Sequence, residues 1–363
     1  MCEILVRLPA KDLCRQWRSL FSDPHFIARH HHRDSASAAG IVTRHAETKD
    51  GALFDILDLS GRRVLIKQVA AGEEEEQLIS TQLGMVRYSW RTSSSFRLLD
   101  PAANGTIYAL PDGLAQEHEV HGLDISDYSV MVASSRIPAT GELKVLRVLS
   151  SHPNNDAPGQ LCEVYTLGGD QCRRWRGIDA PPHDVTFGQW CSAVINGIVY
   201  FLSDEHVHDQ DAGPDRIASF DLQTQEWRPS LRGPLSSLLN GTDEDYTHDT
   251  YFDWYDYKLA SLSGRLVLVH CTPMPSTDLW VLMDAQKGSS WVMQHRIETG
   301  DTILPLLVLN DDRIVFVKIG SRGSLRVYDP RTNYTFIDSS ETSRDFHVVG
   351  LYTGSLLTLA SES

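Results

Sequence analysis

Two patterns of apolar spacing divide the chain. Over residues 3–32, Ile4, Leu5, Leu8 and Leu13 fall at helical intervals, with Pro9 interrupting the run. Trp17, Leu20 and Phe21 continue it, and Ser22-Asp23-Pro24 reads as a further helix start before Phe26 and Ile27. Residues 34–40 are small and polar, as a linker is. From Ile41 onward the helical period is replaced by short β-branched and aromatic runs bounded by Gly, Pro, Asn or Asp. Ala193-Val194-Ile195 and Ile198–Leu202 flank Asn196-Gly197, a strong hairpin signal. Leu266–His270, Leu279–Met283, Leu306–Leu309, Ile314–Val317, Leu325–Tyr328 and Leu356–Leu359 read likewise as strands.

Internal repetition narrows the all-β choice among sandwich, barrel and propeller. Asp221-Leu222-Gln223-Thr224-Gln225-Glu226-Trp227 ends a strand in an acid, turns through polar residues and re-enters on an aromatic. The same order recurs from Asp284 to Trp291 and from Asp329 to Tyr334. Weaker copies start at Asp58, Asp100 and Leu167, the last leading to Trp175. Successive starts differ by 42, 67, 54, 63 and 45 residues. A four-stranded blade takes about 40–50 residues, so the longer intervals hold inserted loops. The reading is a kelch-like β-propeller of about six blades, seven being the alternative, over residues 41–363. It places Trp175, Trp227 and Trp291 largely buried at blade seams. It also closes the ring by putting residues 41–43 or 53–59 in one blade with Val348–Tyr352 or Leu356–Leu359.

Charge and cysteine usage bound the partners. Asp plus Glu number 48 against 33 Lys plus Arg, a net charge of −15. That balance disfavours nucleic acid and anionic membranes. No apolar run has the length of a transmembrane span, and Met1–Pro9 lacks the apolar core of a signal peptide. The six cysteines form no Cys-x-x-Cys pair, which points to a reducing compartment, cytoplasmic or nuclear. The Asn-x-Thr sequons at Asn104, Asn240 and Asn333 then carry no sugar.

The first residues carry a resemblance. The string Glu3–Arg15, with Leu8-Pro9, is similar to the first half of a plant F-box, and Trp17-Arg18-Ser19-Leu20-Phe21-Ser22-Asp23-Pro24-His25-Phe26 is similar to its last part. Leu161–Leu167, Asn196–Leu202 and Ile217–Leu222 resemble strands of the plant F-box-associated domain. The resemblance implies a helical F-box segment over residues 1–33 and a substrate-receptor subunit of a Skp–cullin–F-box ubiquitin ligase. In such a subunit the helices dock on the Skp adaptor, the C-terminal domain holds the protein to be ubiquitinated, and the ligase chemistry lies in other subunits. Carried over residue by residue, the adaptor surface is Ile4, Leu5, Leu8, Pro9, Leu13 and Trp17. The sequence departs from the pattern in two places. Met1 falls inside the first helix, and only Gln16 separates Arg15 from Trp17, where the family has a longer segment rich in Cys, Val and Lys-Ser. The alternative is therefore a degenerate F-box protein without adaptor binding, a non-catalytic interaction module.

The search for chemistry yields little. No Gly-x-Ser-x-Gly, Gly-x-x-x-x-Gly-Lys or His-Glu-x-x-His string occurs. The expectation is no enzyme, no cofactor and no metal. His25 with His30–His32 suits a solvated helix end, and Asp204–Asp211 suits an acidic surface loop. Residues 240–258 stand out, interleaving aromatics with acids. Tyr246, Tyr251, Trp254 and Tyr255 are the candidate contacts to a protein substrate, because Tyr and Trp dominate binding hot spots. The competing reading makes 250–258 a strand with alternate aromatics in the core.

Overall fold

The computed structural model describes residues 40–45, 51–58, 63–70, 76–82, 85–90, 96–100, 106–119, 125, 128–137, 140–151, 159–167, 174–188, 190–203, 216–234, 257–272, 276–284, 290–298, 302–309, 311–318, 325–337 and 346–352. The helical segment expected over residues 1–33 and the run Leu356–Leu359 lie outside them.

The described strands form six antiparallel sheets of four strands each; the sequence reading expected about six units, with seven as the alternative. Sheet 1 joins the two ends of the domain. Its strands β1 (Gly40–His45), β2 (Gly51–Asp58) and β3 (Arg63–Ala70) are completed by β24 (Phe346–Tyr352), which pairs with β1. Ile41 lies opposite Leu351 and Thr43 opposite Val348, the expected clasp. Pairing first strand with last covers the edge that β1 would otherwise expose and joins the two ends of the ring in one sheet.

The other sheets follow chain order. Sheet 2 holds β4 (Glu76–Gln82), β5 (Met85–Trp90), β6 (Phe96–Asp100) and β7 (Thr106–Ala109). Sheet 3 holds β8 (Tyr128–Arg136), β9 (Leu143–Ser151), β10 (Gln160–Leu167) and β11 (Arg176–Ile178). Sheet 4 holds β12 (Ser192–Ile195), β13 (Ile198–Leu202), β14 (Ile217–Asp221) and β15 (Glu226–Leu231). Sheet 5 holds β16 (Tyr257–Leu262), β17 (Arg265–Cys271), β18 (Ser276–Asp284) and β19 (Ser290–Glu298). Sheet 6 holds β20 (Ile303–Val308), β21 (Ile314–Lys318), β22 (Leu325–Asp329) and β23 (Tyr334–Ile337). First strands meet in turn around a ring: β24 with β4, β4 with β8, β8 with β12, β12 with β16, β16 with β20, and β20 with β24. The fold is an all-β propeller.

A period of two sends alternate side chains of one strand into two different cores. On β9, Leu143 and Val145 pack with Leu98 and Leu110 toward sheet 2. Leu146 and Val148 pack with Val199, Phe201 and Phe220 toward sheet 4. This explains why β9 is buried on both faces through its first seven residues. Equivalent clusters fill the seam between sheets 4 and 5, around Tyr200, Ile217, Leu259 and Leu268, and between sheets 5 and 6, around Val267, Leu279, Ile314 and Phe316.

The tryptophans re-entering after the acid turns sit in these seams and are anchored alike. Trp175 Nε1 donates to the Pro111 carbonyl at 2.8 Å, Trp227 Nε1 to Asp179 at 2.9 Å and Trp291 Nε1 to Arg232 at 2.8 Å. Each acceptor lies just beyond the last strand of the preceding sheet. Burial departs from expectation for two of them. Trp175, under the Arg147 guanidinium, is buried, whereas Trp227 and Trp291 are only half-buried.

Candidate protein-binding face

Antiparallel order sorts the connections between strands into two ends of the ring. At one end lie the links from first to second and from third to fourth strand; at the other lie those from second to third strand and onward to the next sheet. The first end is built of short turns. Asn196-Gly197 and Ser263-Gly264 are two-residue turns with both φ angles positive, at 51° and 82° and at 51° and 72°. That is the geometry for which Asn-Gly is favoured in hairpins. The acid turns sit at this end too. Asp221 Oδ1 accepts from the amides of Gln223 at 2.8 Å and Thr224 at 3.3 Å, and Oδ2 accepts from Arg228 Nη2 at 2.5 Å. Burial works to raise the Asp221 carboxyl, but the bonds from Arg228 and the two amides outweigh it and hold it below its ordinary range. Asp329 repeats the motif on the Arg331 amide at 2.9 Å. Gln225 and Asn333, each four residues after the acid, share a positive φ.

The opposite, loop end carries longer connections, and the described ones are pinned by buried polar groups. Leaving sheet 2, residues 110–119 form a strap over the seam to sheet 3. Glu163 on β10 and Arg147 on β9 are directly opposed in register. Glu163 is 0% exposed and Arg147 1%. Arg147 Nε donates to Glu163 Oε2 at 2.5 Å, its Nη2 donates to the Gly113 carbonyl, and its guanidinium lies 4.0 Å over the Trp175 ring. Glu163 Oε1 accepts from the Ala115 amide at 2.7 Å and lies 3.1 Å from His118 Nδ1. Burial opposes the Glu163 charge, but the bond to His118, the Arg147 charge and the Ala115 amide outweigh it, so the carboxyl sits below its usual range. The desolvated Arg147 guanidinium is pulled below its own ordinary value, with Glu163 opposing. Gly177 completes the fit: a Cβ there would meet Glu117 Cβ at 2.9 Å and the His118 ring at 3.0 Å.

A second connection is fixed between sheets 3 and 4. The Gln160 side chain pairs with the Val185 backbone like a strand residue, donating to its carbonyl and accepting from its amide, both at 2.7 Å. Val185 bridges in turn to Ser203 beyond β13, and the Thr186 hydroxyl donates to the Ser203 carbonyl at 3.1 Å. Among the described residues at the loop end, the strap and the segment around Val185 are thus held by buried hydrogen bonds.

The expected substrate contacts Tyr246, Tyr251, Trp254 and Tyr255 lie outside the described residues, as do the expected adaptor contacts Ile4, Leu5, Leu8, Pro9, Leu13 and Trp17. The strand ends Leu231 and Tyr257, which bracket the aromatic stretch, are at the loop end. Sequence reasoning missed Arg147, Glu163, His118 and Gln160. Their one sequence signal is a charge inside an apolar run, Glu163 between Cys162 and Val164 and Arg147 between Leu146 and Val148. Among the described residues no three His, Cys, Asp or Glu side chains converge as a metal site. Burial raises the Cys162 and Cys191 thiols, which keeps both as neutral thiols. No described helix is long and apolar enough to cross a membrane.

No curated protein sequence matches the chain. Among solved structures it is similar to a puromycin-hydrolyzing peptidase of Mycobacterium tuberculosis, with 14% identity, a TM-score of 0.44, and coverage of 85% of this chain and 48% of that one. It thus spans about half the peptidase's length. It is also similar to a Dos1 propeller, at 12% identity and TM-score 0.37 over 83% of this chain and 72% of that one. AofleA of Arthrobotrys oligospora gives 11% identity and TM-score 0.38 over 86% and 90%. The family model for the F-box associated beta propeller domain matches residues 138–328, more than half of the chain, and those residues run from the end of the first strand of sheet 3 to the third strand of sheet 6. The chain belongs to the F-box associated beta propeller domain family.

Proposed function

We propose that this chain is the substrate-receptor subunit of a Skp–cullin–F-box ubiquitin ligase. In this reading its propeller holds a protein substrate at the loop end, and the helical segment of residues 1–33 contacts the Skp adaptor through Ile4, Leu5, Leu8, Pro9, Leu13 and Trp17. The observation that carries it is the family match over residues 138–328, in a chain whose first residues hold the F-box-like strings Leu8-Pro9 and Trp17–Phe26 in order. The receptor is kelch-like, of plant type, cytoplasmic or nuclear, and binds neither nucleic acid nor membrane. It performs no chemistry itself. Tyr246, Tyr251, Trp254 and Tyr255 are the substrate contacts, bracketed by strand ends at the loop end.

One observation favours a second reading, a degenerate F-box protein acting as a free interaction module: Gln16 alone separates Arg15 from Trp17. Co-purification with a Skp-type adaptor separates the two. Capture by the full chain supports the receptor. Capture only after a full-length segment is restored between Arg15 and Trp17 supports the degenerate module.

A further inference from the structure

Residues 111–117 lie on sheet 3 as a bound peptide lies in a groove, with a polar contact at every second residue. The Pro111 carbonyl accepts from Trp175 Nε1 at 2.8 Å, and the Gly113 carbonyl accepts from Arg147 Nη2. The Ala115 amide donates to Glu163 Oε1 at 2.7 Å, and Glu117 Oε2 accepts from the Gly177 amide at 3.2 Å. The first three contacts engage the strap's backbone rather than its side chains. The receiving groups form a row across the sheet: Arg147 on β9 opposes Glu163 on β10, which opposes Gly177 on β11.

The groove asks little of its occupant. Gly113 has a φ of +83°, which glycine adopts at no steric cost. Ala115 is 1% exposed and packs in one cluster with Leu98, Val132, Tyr165 and Trp175, so its place takes a small side chain. The strap itself is lightly seated. Of residues 111–119 only Ala115 is buried, and segments with few buried apolar contacts open well before the whole fold does. Seating also keeps the Glu163 and Arg147 charges out of water, so release rehydrates them and offsets part of the bonding lost.

We propose that Trp175, Arg147, Glu163 and Gly177 form a peptide-binding groove that residues 111–117 occupy as an autoinhibitory segment, and that a Gly-x-Ala-like segment of a protein partner displaces them. The inference rests on the receptor reading only in calling that partner the substrate.

The test uses the full chain, without adaptor, and a fluorescent synthetic peptide of the sequence Leu110–Glu119. Ala115→Glu in the chain sets a second carboxylate against Glu163 and unseats the strap. The expected result is peptide binding about tenfold or more tighter to this variant than to the parent chain, and lost when the peptide itself carries Ala115→Glu. No binding to the variant, or equal binding to variant and parent, overturns the proposal. Hydrogen exchange on the parent chain tests it without any substitution. The Ala115 amide should exchange about a hundredfold or more faster than the amides of β9; exchange at the same rate, with the strap opening only when the whole fold does, overturns the proposal. Failure here with adaptor capture intact removes this inference and leaves the receptor reading. Peptide binding with adaptor capture absent does the reverse.

Discussion

The indole of Trp227, on the fourth strand of sheet 4, donates its N–H to the carbonyl of Asp179, one residue beyond the fourth strand of sheet 3, at 2.9 Å. Its ring also packs edge-on against Phe220, with centroids 5.0 Å apart. One side chain thus packs on its own sheet through Phe220, its partner in register, and reaches the preceding sheet by a hydrogen bond, which Trp175 and Trp291 repeat.

Trp227→Phe removes the hydrogen bond and keeps most of the packing. It should cost about 1 kcal/mol in urea unfolding. Trp227→Ala should cost about 2–3 kcal/mol, below the range for a fully buried Trp because the ring is only half-buried. Equal effects of the two would show that the indole N–H, rather than the ring, holds the seam.

The Arg147–Glu163 pair predicts strong non-additivity. Removing either partner strands a charge that is at most 1% exposed. Arg147→Met or Glu163→Leu alone should cost about 3–5 kcal/mol, and the double variant much less than their sum. Additive losses in a double-mutant cycle would mean that the two charges act separately.

Gly177→Ala tests the strap from its other side. The added methyl falls 2.9 Å from Glu117 Cβ, so residues 116–118 must shift. Proteolysis should then cut within residues 110–119 faster than in the parent chain, while the distant seam at Trp291 keeps its protection. Unchanged cleavage would show that the strap is not seated by this contact.

Stability should fall in acid in two stages. Burial lowers His295 from its ordinary 6.5, so the unfolded chain takes this proton first and stability begins to fall as pH drops below about 6.5. Glu163 and Asp221 are lowered from 4.5 and 3.8. Their contribution is fully present above those values and is lost as pH falls through the lower folded ones. Glu163→Gln should flatten the second stage only; a pH profile of unfolding that it leaves unchanged would remove Glu163 from the account.

The turns were the most legible part of the fold. All six acid-turn starts, at Asp58, Asp100, Leu167, Asp221, Asp284 and Asp329, fall at the end of the third strand in their sheet. Each is a local device, a polar turn that in the clearest copies re-enters on an aromatic, and so is readable without partners. The clasp of β1 on β24 was legible because a ring of sheets admits few alternatives. The strap was not. Arg147 and Glu163 meet only because β9 and β10 pair in one particular register, and Gln160 reaches Val185 across 25 residues. Neither relation leaves a periodicity in the chain. The partial exposure of Trp227 and Trp291 was likewise invisible, since the same turn pattern leaves Trp175 buried.

The account turns on whether this propeller is delivered to a ligase. The most direct measurement is size-exclusion co-elution of the full chain with a purified Skp-type adaptor, alongside Leu8→Ala and Leu13→Ala variants. The receptor reading predicts a stoichiometric complex that either substitution weakens. Separate elution of chain and adaptor at micromolar concentration, or a complex indifferent to both substitutions, would contradict it.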